Sequence, residues 1–149
     1  MSVKEFPLNY KNKYEINIAP ESEVPEWAAV AEGIANVDPS FEDETDDTAY
    51  YSGEGFGNET VTGIRASLVF TGHRLYGDPA QDYIAGLAFE VGAKRQTELR
   101  WTQPNNKQIT GSVTISNIKT SGGDANTKSE FEFTATFNGK PEVADTPAP

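Results

Sequence analysis

Glu130-Phe-Glu-Phe-Thr-Ala-Thr-Phe137 decides the fold class. Phe131, Phe133, Ala135 and Phe137 alternate with Glu130, Glu132, Thr134 and Thr136, the period-two pattern of a strand with one apolar and one polar face. The same period recurs upstream. Leu99 and Trp101 alternate with Glu98, Arg100 and Thr102, and Ile109, Val113 and Ile115 alternate with Thr110, Ser112, Thr114 and Ser116. The turn Gln103-Pro-Asn-Asn106 separates those two runs, and the glycine-rich Ser121-Gly-Gly-Asp124 precedes the deciding one. Further back, Ile64, Ala66, Leu68 and Phe70 share one face against Gly63, Arg65 and Ser67, while Tyr14, Ile16 and Ile18 alternate with Glu15 and Asn17. These runs predict a mainly β chain, an antiparallel β-sandwich or partly closed barrel. Their polar faces require at least one sheet to meet water or another subunit.

One helix is expected, over 78–91. Asp78 can cap it, Pro79 suits its first position, and Gln81 stands where a capping-box side chain reaches back. Tyr83, Ile84, Leu87 and Ala88 would form its apolar stripe, with Gly92 as a left-handed stop. The stretch from Trp27 to Val37 reads as a strand, and Gly72 to Gly77 as a turn. Residues 38–60 have no steady period, and a loop that long is either functional or disordered. Phe41, Tyr50, Tyr51 and Phe56 argue against disorder, so the segment reads as a long hairpin or arm ordered against a partner. The expected organisation is a β-domain over 14–139 between an N-terminal arm, 1–13, and a C-terminal arm, 140–149.

Charge is segregated along the chain. The sequence has 149 residues, a net charge of −11 and 36% hydrophobic residues, a modest core that suits a subunit completing its burial by assembly. All 12 Lys and Arg lie outside Tyr14–Ile64, a stretch holding Glu42, Asp43, Glu44, Asp46 and Asp47 among other acids. Opposite signs on one chain are what head-to-tail association would use; the same acids could simply keep a loop solvated. The acidic balance speaks against nucleic-acid binding through a basic surface. The chain has no cysteine, which removes disulfides and thiolate metal sites. No apolar run approaches the roughly 20 residues of a membrane span. The first residues lack the plan of a signal peptide, so the cytoplasm, or carriage by something larger, is expected.

Residues for catalysis are sparse. His73 is the single histidine and reads as a turn residue; no glycine-flanked nucleophile turn accompanies it. The cluster Glu42–Asp47 lacks the alternating oxygen ladder and central glycine of a helix–loop–helix calcium site, leaving at most a weak cation site. Gly53-Glu-Gly-Phe-Gly57 does not run from a strand into a helix, and no lysine follows, so a phosphate cradle fails. Asn58-Glu-Thr60 matches a glycosylation acceptor by chance. No enzyme is expected, and no cofactor or metal.

Several phrases resemble the major tail tube protein of siphophages infecting Gram-positive bacteria. They are Phe70-Thr-Gly, then Tyr76-Gly-Asp-Pro-Ala-Gln-Asp-Tyr-Ile84, Leu99-Arg-Trp101 and Ile118-Lys-Thr-Ser-Gly-Gly-Asp-Ala-Asn126. Lys4-Glu-Phe-Pro-Leu-Asn-Tyr10 and the Trp27–Tyr51 region fit the same pattern. The resemblance implies a β-sandwich whose inner sheet joins those of its neighbours into a hexameric ring with a β-barrel lumen. Rings would stack into a tube around the tape measure protein, between the tail terminator and distal tail proteins, and phage DNA would pass through. It implies a virion protein assembled in the host cytoplasm, with no membrane partner. The inter-ring role would fall on the loop bearing Glu42, Asp43, Glu44, Asp46, Asp47, Tyr50 and Tyr51, and on both arms. Glu130, Glu132, Thr134 and Thr136 would line the bore, where negative charge repels phosphate.

A second reading is a virion or cell-surface carbohydrate-binding or adhesion module. It requires Trp27 or Trp101 as an exposed stacking platform, although each sits in an apolar stretch that suits core or interface packing.

Overall fold

A computed structural model describes residues 4–145. Eight strands form one antiparallel sheet: β1 (Lys13–Asn17), β2 (Trp27–Ala29), β3 (Ile34–Asp46), β4 (Thr60–His73), β5 (Gln96–Thr102), β6 (Lys107–Lys119), β7 (Glu130–Phe137) and β8 (Glu142–Asp145). Their order is β2-β1-β5-β6-β7-β4-β3, with β8 added to β6. The sheet curls until its flanks face each other, and Tyr14 of β1 meets Phe70 of β4 edge-on at 5.3 Å. It stays open, because no ladder joins β2 or β1 to β3. The partly closed, mainly β architecture expected from the alternating runs is what the chain adopts.

The deciding strand behaves as its pattern dictates. Phe131, Phe133, Ala135 and Phe137 are buried, while Glu132, Thr134 and Thr136 are only part-covered on the other face. Phe133 stacks on Phe70 at 4.5 Å, and Leu68, Leu99, Val113, Ile115 and Ile16 complete the core around them. Each fully buried Phe or Leu contributes about 1.5–3 kcal/mol relative to exposure.

The helix α1 (Pro79–Ala85) is shorter than the 78–91 expected, because the chain leaves helical pairing at Gly86. Leu87 is buried but in a following turn, so its apolar signal extended the reading too far. Asp78 caps as expected, accepting from the Gln81 amide at 3.1 Å. The Gln81 side chain makes no capping-box return. Its Oε1 accepts from Leu75 N at 2.8 Å and Arg74 Nη1 at 3.3 Å; its Nε2 donates to Glu32 O and His73 O, each at 3.0 Å. This buried amide ties α1 to the end of β4 and to the turn before β3.

Three further expectations change. Trp27–Val37 is not one strand: Gly33, at φ +77, turns the chain between β2 and β3. A Cβ on Gly33 would stand 2.6 Å from His73 O, and one on Gly72 2.0 Å from Gly33 O. Backbones this close require glycine on both sides. Residues 38–60 are not all loop: β3 runs to Asp46 and pairs with β4 down to Asp46↔Thr60, leaving 47–59 as the connection of a long hairpin. The C-terminal arm is not wholly loose: β8 pairs Lys107↔Asp145 through Thr110↔Glu142. At the other end, residues 4–8 lie outside any strand, ahead of a short 3-10 turn at Asn9–Lys11. The outer parts of both arms, 1–3 and 146–149, lie outside the described residues.

Candidate functional site

The β3–β4 hairpin is a continuation of the core that leaves the core behind. Directly paired residues share a face, so the inward face reads Val37↔Phe70, Pro39↔Leu68, Phe41↔Ala66 and Asp43↔Ile64. Phe70 and Leu68 are fully buried, yet Phe41 is 63% and Ile64 68% exposed. The change occurs where β7 ends. The β4–β7 ladder stops at Ser67↔Thr136, so among the described residues Thr60–Ala66 are paired with β3 alone. Beyond that point two strands stand with an apolar face uncovered, and a lone two-stranded ribbon is marginally stable in water.

Every acid assigned to the hairpin from sequence lies on this ribbon or its tip. Glu42, Asp43, Glu44 and Asp46 are exposed on β3, and Asp47 opens the connection. Arg65 stands opposite Glu42 in the ladder and is the ribbon's one cation. The tip is ordered by local bonds. Asp46 Oδ1 accepts from Thr48 N at 3.1 Å, Ala49 bridges Gly57, and a 3-10 turn spans Tyr51–Gly53. Tyr50, Tyr51 and Phe56 are all exposed there. Sequence reading found the tyrosines and acids. It missed Ile64 as an uncovered residue and the free edge of β4, since alternation cannot say where a neighbouring strand ends.

The second surface is the sheet face opposite the core. Glu132 stands opposite Thr71, Thr134 opposite Val69 and Thr136 opposite Ser67 on β4; on the other side Thr136 and Thr134 face Thr114 and Ser116 of β6. Hydroxyls dominate this face. Glu130 belongs to its end, where the Lys119 ammonium bonds its carboxylate. That hydrogen bond and charge hold the Glu130 carboxyl below the usual carboxylate range, and Lys119 is raised in turn. The structure therefore brings Glu132, Thr134 and Thr136 together and places Glu130 in an ion pair at the rim.

Neither tryptophan offers the bare ring that sugar stacking needs. Trp101 is buried, with its Nε1 donating to Asn12 Oδ1 at 3.0 Å. Trp27 is part-covered, and the Arg100 guanidinium sits 4.4 Å over its ring. That guanidinium is held in place by both carboxylate oxygens of Glu15, at 3.1 and 2.9 Å. His73 is exposed opposite Glu130 at the end of β4. Among the described residues, no three His, Cys, Asp or Glu side chains converge to hold a metal ion, and no helix is long and apolar enough to cross a membrane.

No family model matches the sequence, and no curated protein matches it. The fold, however, is shared with solved structures. A chain in the tail of an empty gene transfer agent particle, determined by helical refinement with C6 symmetry, superposes with a TM-score of 0.75. The match covers 95% of this chain and 100% of that one, at 16% identity. A chain in the virion of a native gene transfer agent particle gives a TM-score of 0.74 over 93% of this chain and 99% of that one, also at 16% identity. At this identity the likeness is one of fold.

Proposed function

We propose that this chain is a structural subunit of a phage-like virion tail, assembling with copies of itself into a tube. The observation that carries the reading is the β3–β4 ribbon, which extends the core face through Phe41 and Ile64 into solvent and leaves them without cover in the single chain. Large uncovered apolar residues on a marginal ribbon fit a surface completed by another copy. The likeness of nearly the whole fold to a chain of a C6-symmetric tail supports the same reading and suggests rings of six.

In this reading the ribbon and tip, bearing Glu42, Asp43, Glu44, Asp46, Asp47, Tyr50 and Tyr51, contact the adjoining ring. The hydroxyl-rich face with Glu132, Thr134 and Thr136 turns to the bore. Uncharged hydroxyls with interspersed carboxylates give DNA phosphates nothing to release counterions against, so DNA slides without sticking. The tape measure protein would fill the bore before DNA, and the tail terminator and distal tail proteins would meet the tube's ends. The subunit catalyses nothing; its site of action is the virion, after assembly in the host cytoplasm.

Negative-stain microscopy of the purified protein tests this. Tubes of uniform width are expected. A protein that stays monomeric at every concentration and salt condition tried refutes the reading.

A further inference from the structure

Asn138 and Gly139 follow directly on β7, and Asn138 is the only asparagine in the sequence followed by glycine. Gly139 holds φ +83, a region that a residue with a Cβ enters only under strain. The bend itself therefore requires glycine after Asn138. Both residues are exposed, and a Cβ built on Gly139 would meet no atom within 4 Å. Nothing crowds this peptide bond or shields it from water. The Gly139 N–H has no hydrogen-bond acceptor among the described residues. Asparagine is a chemically labile residue. A free main-chain nitrogen with no neighbouring Cβ is the nucleophile best able to reach its carboxamide.

The rest of Asn138 is tied to β6. Its N donates to Ser112 O at 2.8 Å, its Nδ2 donates to Thr114 Oγ1 at 2.9 Å, and its Oδ1 accepts from the same hydroxyl at 3.1 Å. Thr114 stands opposite Thr136 in the β6–β7 ladder, so the carboxamide belongs to the hydroxyl-rich face. It reaches across to β6, whereas reaction requires it to turn back toward its own main chain. Both bonds to Thr114 must break before that turn.

We infer that Asn138-Gly139 is a site of spontaneous deamidation, slowed by Thr114, which converts a neutral amide of this face into a carboxylate. Gly139 N attacks Asn138 Cγ. The N–Cγ bond forms, the Cγ–Nδ2 bond breaks, and Nδ2 leaves as ammonia with the proton that Gly139 gives up. Solvent water then opens the cyclic imide at either carbonyl. Opening at Cγ leaves aspartate; opening at the main-chain carbonyl leaves an isoaspartyl link, with the chain running through Cγ. No oxidant or reductant is consumed. The isoaspartyl product lengthens the connection to β8, a strand exposed at all four positions and held by its ladder to β6. The chemistry is independent of the self-assembly reading. Its consequence rests on that reading: with age, each copy adds a carboxylate to the bore.

The test follows the purified chain during warm incubation in mildly alkaline buffer. Cleavage after glutamate releases residues 133–142, and mass spectrometry of that peptide reads the exchange of amide for acid. Chain carrying Asn138→Asp supplies the chromatographic standard for the aspartyl product, and an isoaspartyl methyltransferase labels the other. Both products should accumulate at Asn138 in the folded chain. Thr114→Val keeps a β-branched strand residue and removes both bonds, so it should raise the rate about fivefold, the factor that one ordinary hydrogen bond represents. Asn138→Gln, whose longer side chain closes a less favourable ring, should gain no acid over the same interval. A folded chain that keeps its amide while the same chain in urea loses it would overturn the site. Equal rates with and without the Thr114 hydroxyl would overturn its restraining role. Neither result depends on whether tubes form, so failure here leaves the proposed function standing.

Discussion

Gln81 is the residue whose replacement should most disturb the frame that carries the hairpin. It is 1% exposed and makes four side-chain hydrogen bonds, three of them to backbone groups: Leu75 N and His73 O nearby, and Glu32 O 49 positions away. Gln81→Leu keeps the volume and removes every bond. Each buried group left without a partner costs about 1–3 kcal/mol. Leu75 and Glu32 lie near the surface and can recruit water, so the expected loss is about 3 kcal/mol in place of the full sum. At a typical urea dependence of ~2 kcal/mol per M, the unfolding midpoint should fall by ~1.5 M. Gln81→Glu sharpens the test. It preserves the acceptor for Leu75 N and Arg74 but turns an oxygen on two carbonyl oxygens, so near pH 7 it should destabilise at least as much. The measurement is urea unfolding followed by far-ultraviolet circular dichroism at a concentration below assembly. A midpoint for either variant within ~0.3 M of the unsubstituted chain, a shift of only about 0.6 kcal/mol, would refute the account of this amide as a clamp.

Gly72→Ala should cost about 3 kcal/mol or more, because its Cβ would stand 2.0 Å from Gly33 O and 2.8 Å from Ile34 Cα, both backbone. Gly63→Ala meets only the mobile end of Glu44 at 3.1 Å and should be nearly neutral; paired thermal melts decide between them. The Glu130 carboxyl should titrate below ordinary glutamates in an NMR pH series and return to the ordinary range in Lys119→Met. Because its folded pKa is depressed, the clip's contribution is present above the unfolded pKa and disappears as pH falls through the folded one. Glu132→Lys should leave tubes intact yet slow DNA delivery from virions; delivery at the normal rate would remove Glu132 from the bore.

Legibility in the sequence followed the environment of each strand. β5, β6 and β7 each have one face in the core and one outside it, so Leu99/Trp101, Val113/Ile115 and Phe131/Phe133 announced them. β3 has no such contrast: Asp38, Ser40 and Glu42 face outward, while Pro39, Phe41 and Asp43 face a core that has already ended. Its pattern dissolves because its surroundings do. β8 is exposed at all four positions and is held by backbone pairing, with one exposed ion pair between Lys107 and Asp145; side-chain alternation has nothing to record there. Gln81 looked like a local cap because sequence spacing shows only near neighbours, whereas Glu32, its partner, is 49 positions away. For the site, acids and tyrosines were visible by composition. The unpaired edge was not, since it depends on where β7 stops relative to β4.

The strand order has a consequence for synthesis. Reading β2-β1-β5-β6-β7-β4-β3 across the sheet, the first half of the chain supplies both flanks and the second half supplies the centre. A ribosome therefore delivers Ile16, Leu68 and Phe70 before Val113, Phe131 or Phe133 exists to cover them. The β3–β4 hairpin can form at once from local contacts, in microseconds, but it has nothing to dock on until β7 emerges. Closure of the core is thus deferred until β7 has emerged, and apolar flanks wait in the open meanwhile, a state prone to premature association. The acids concentrated on β3 and its tip keep those waiting flanks mutually repulsive, so the charge that marks the finished hairpin also guards the unfinished chain.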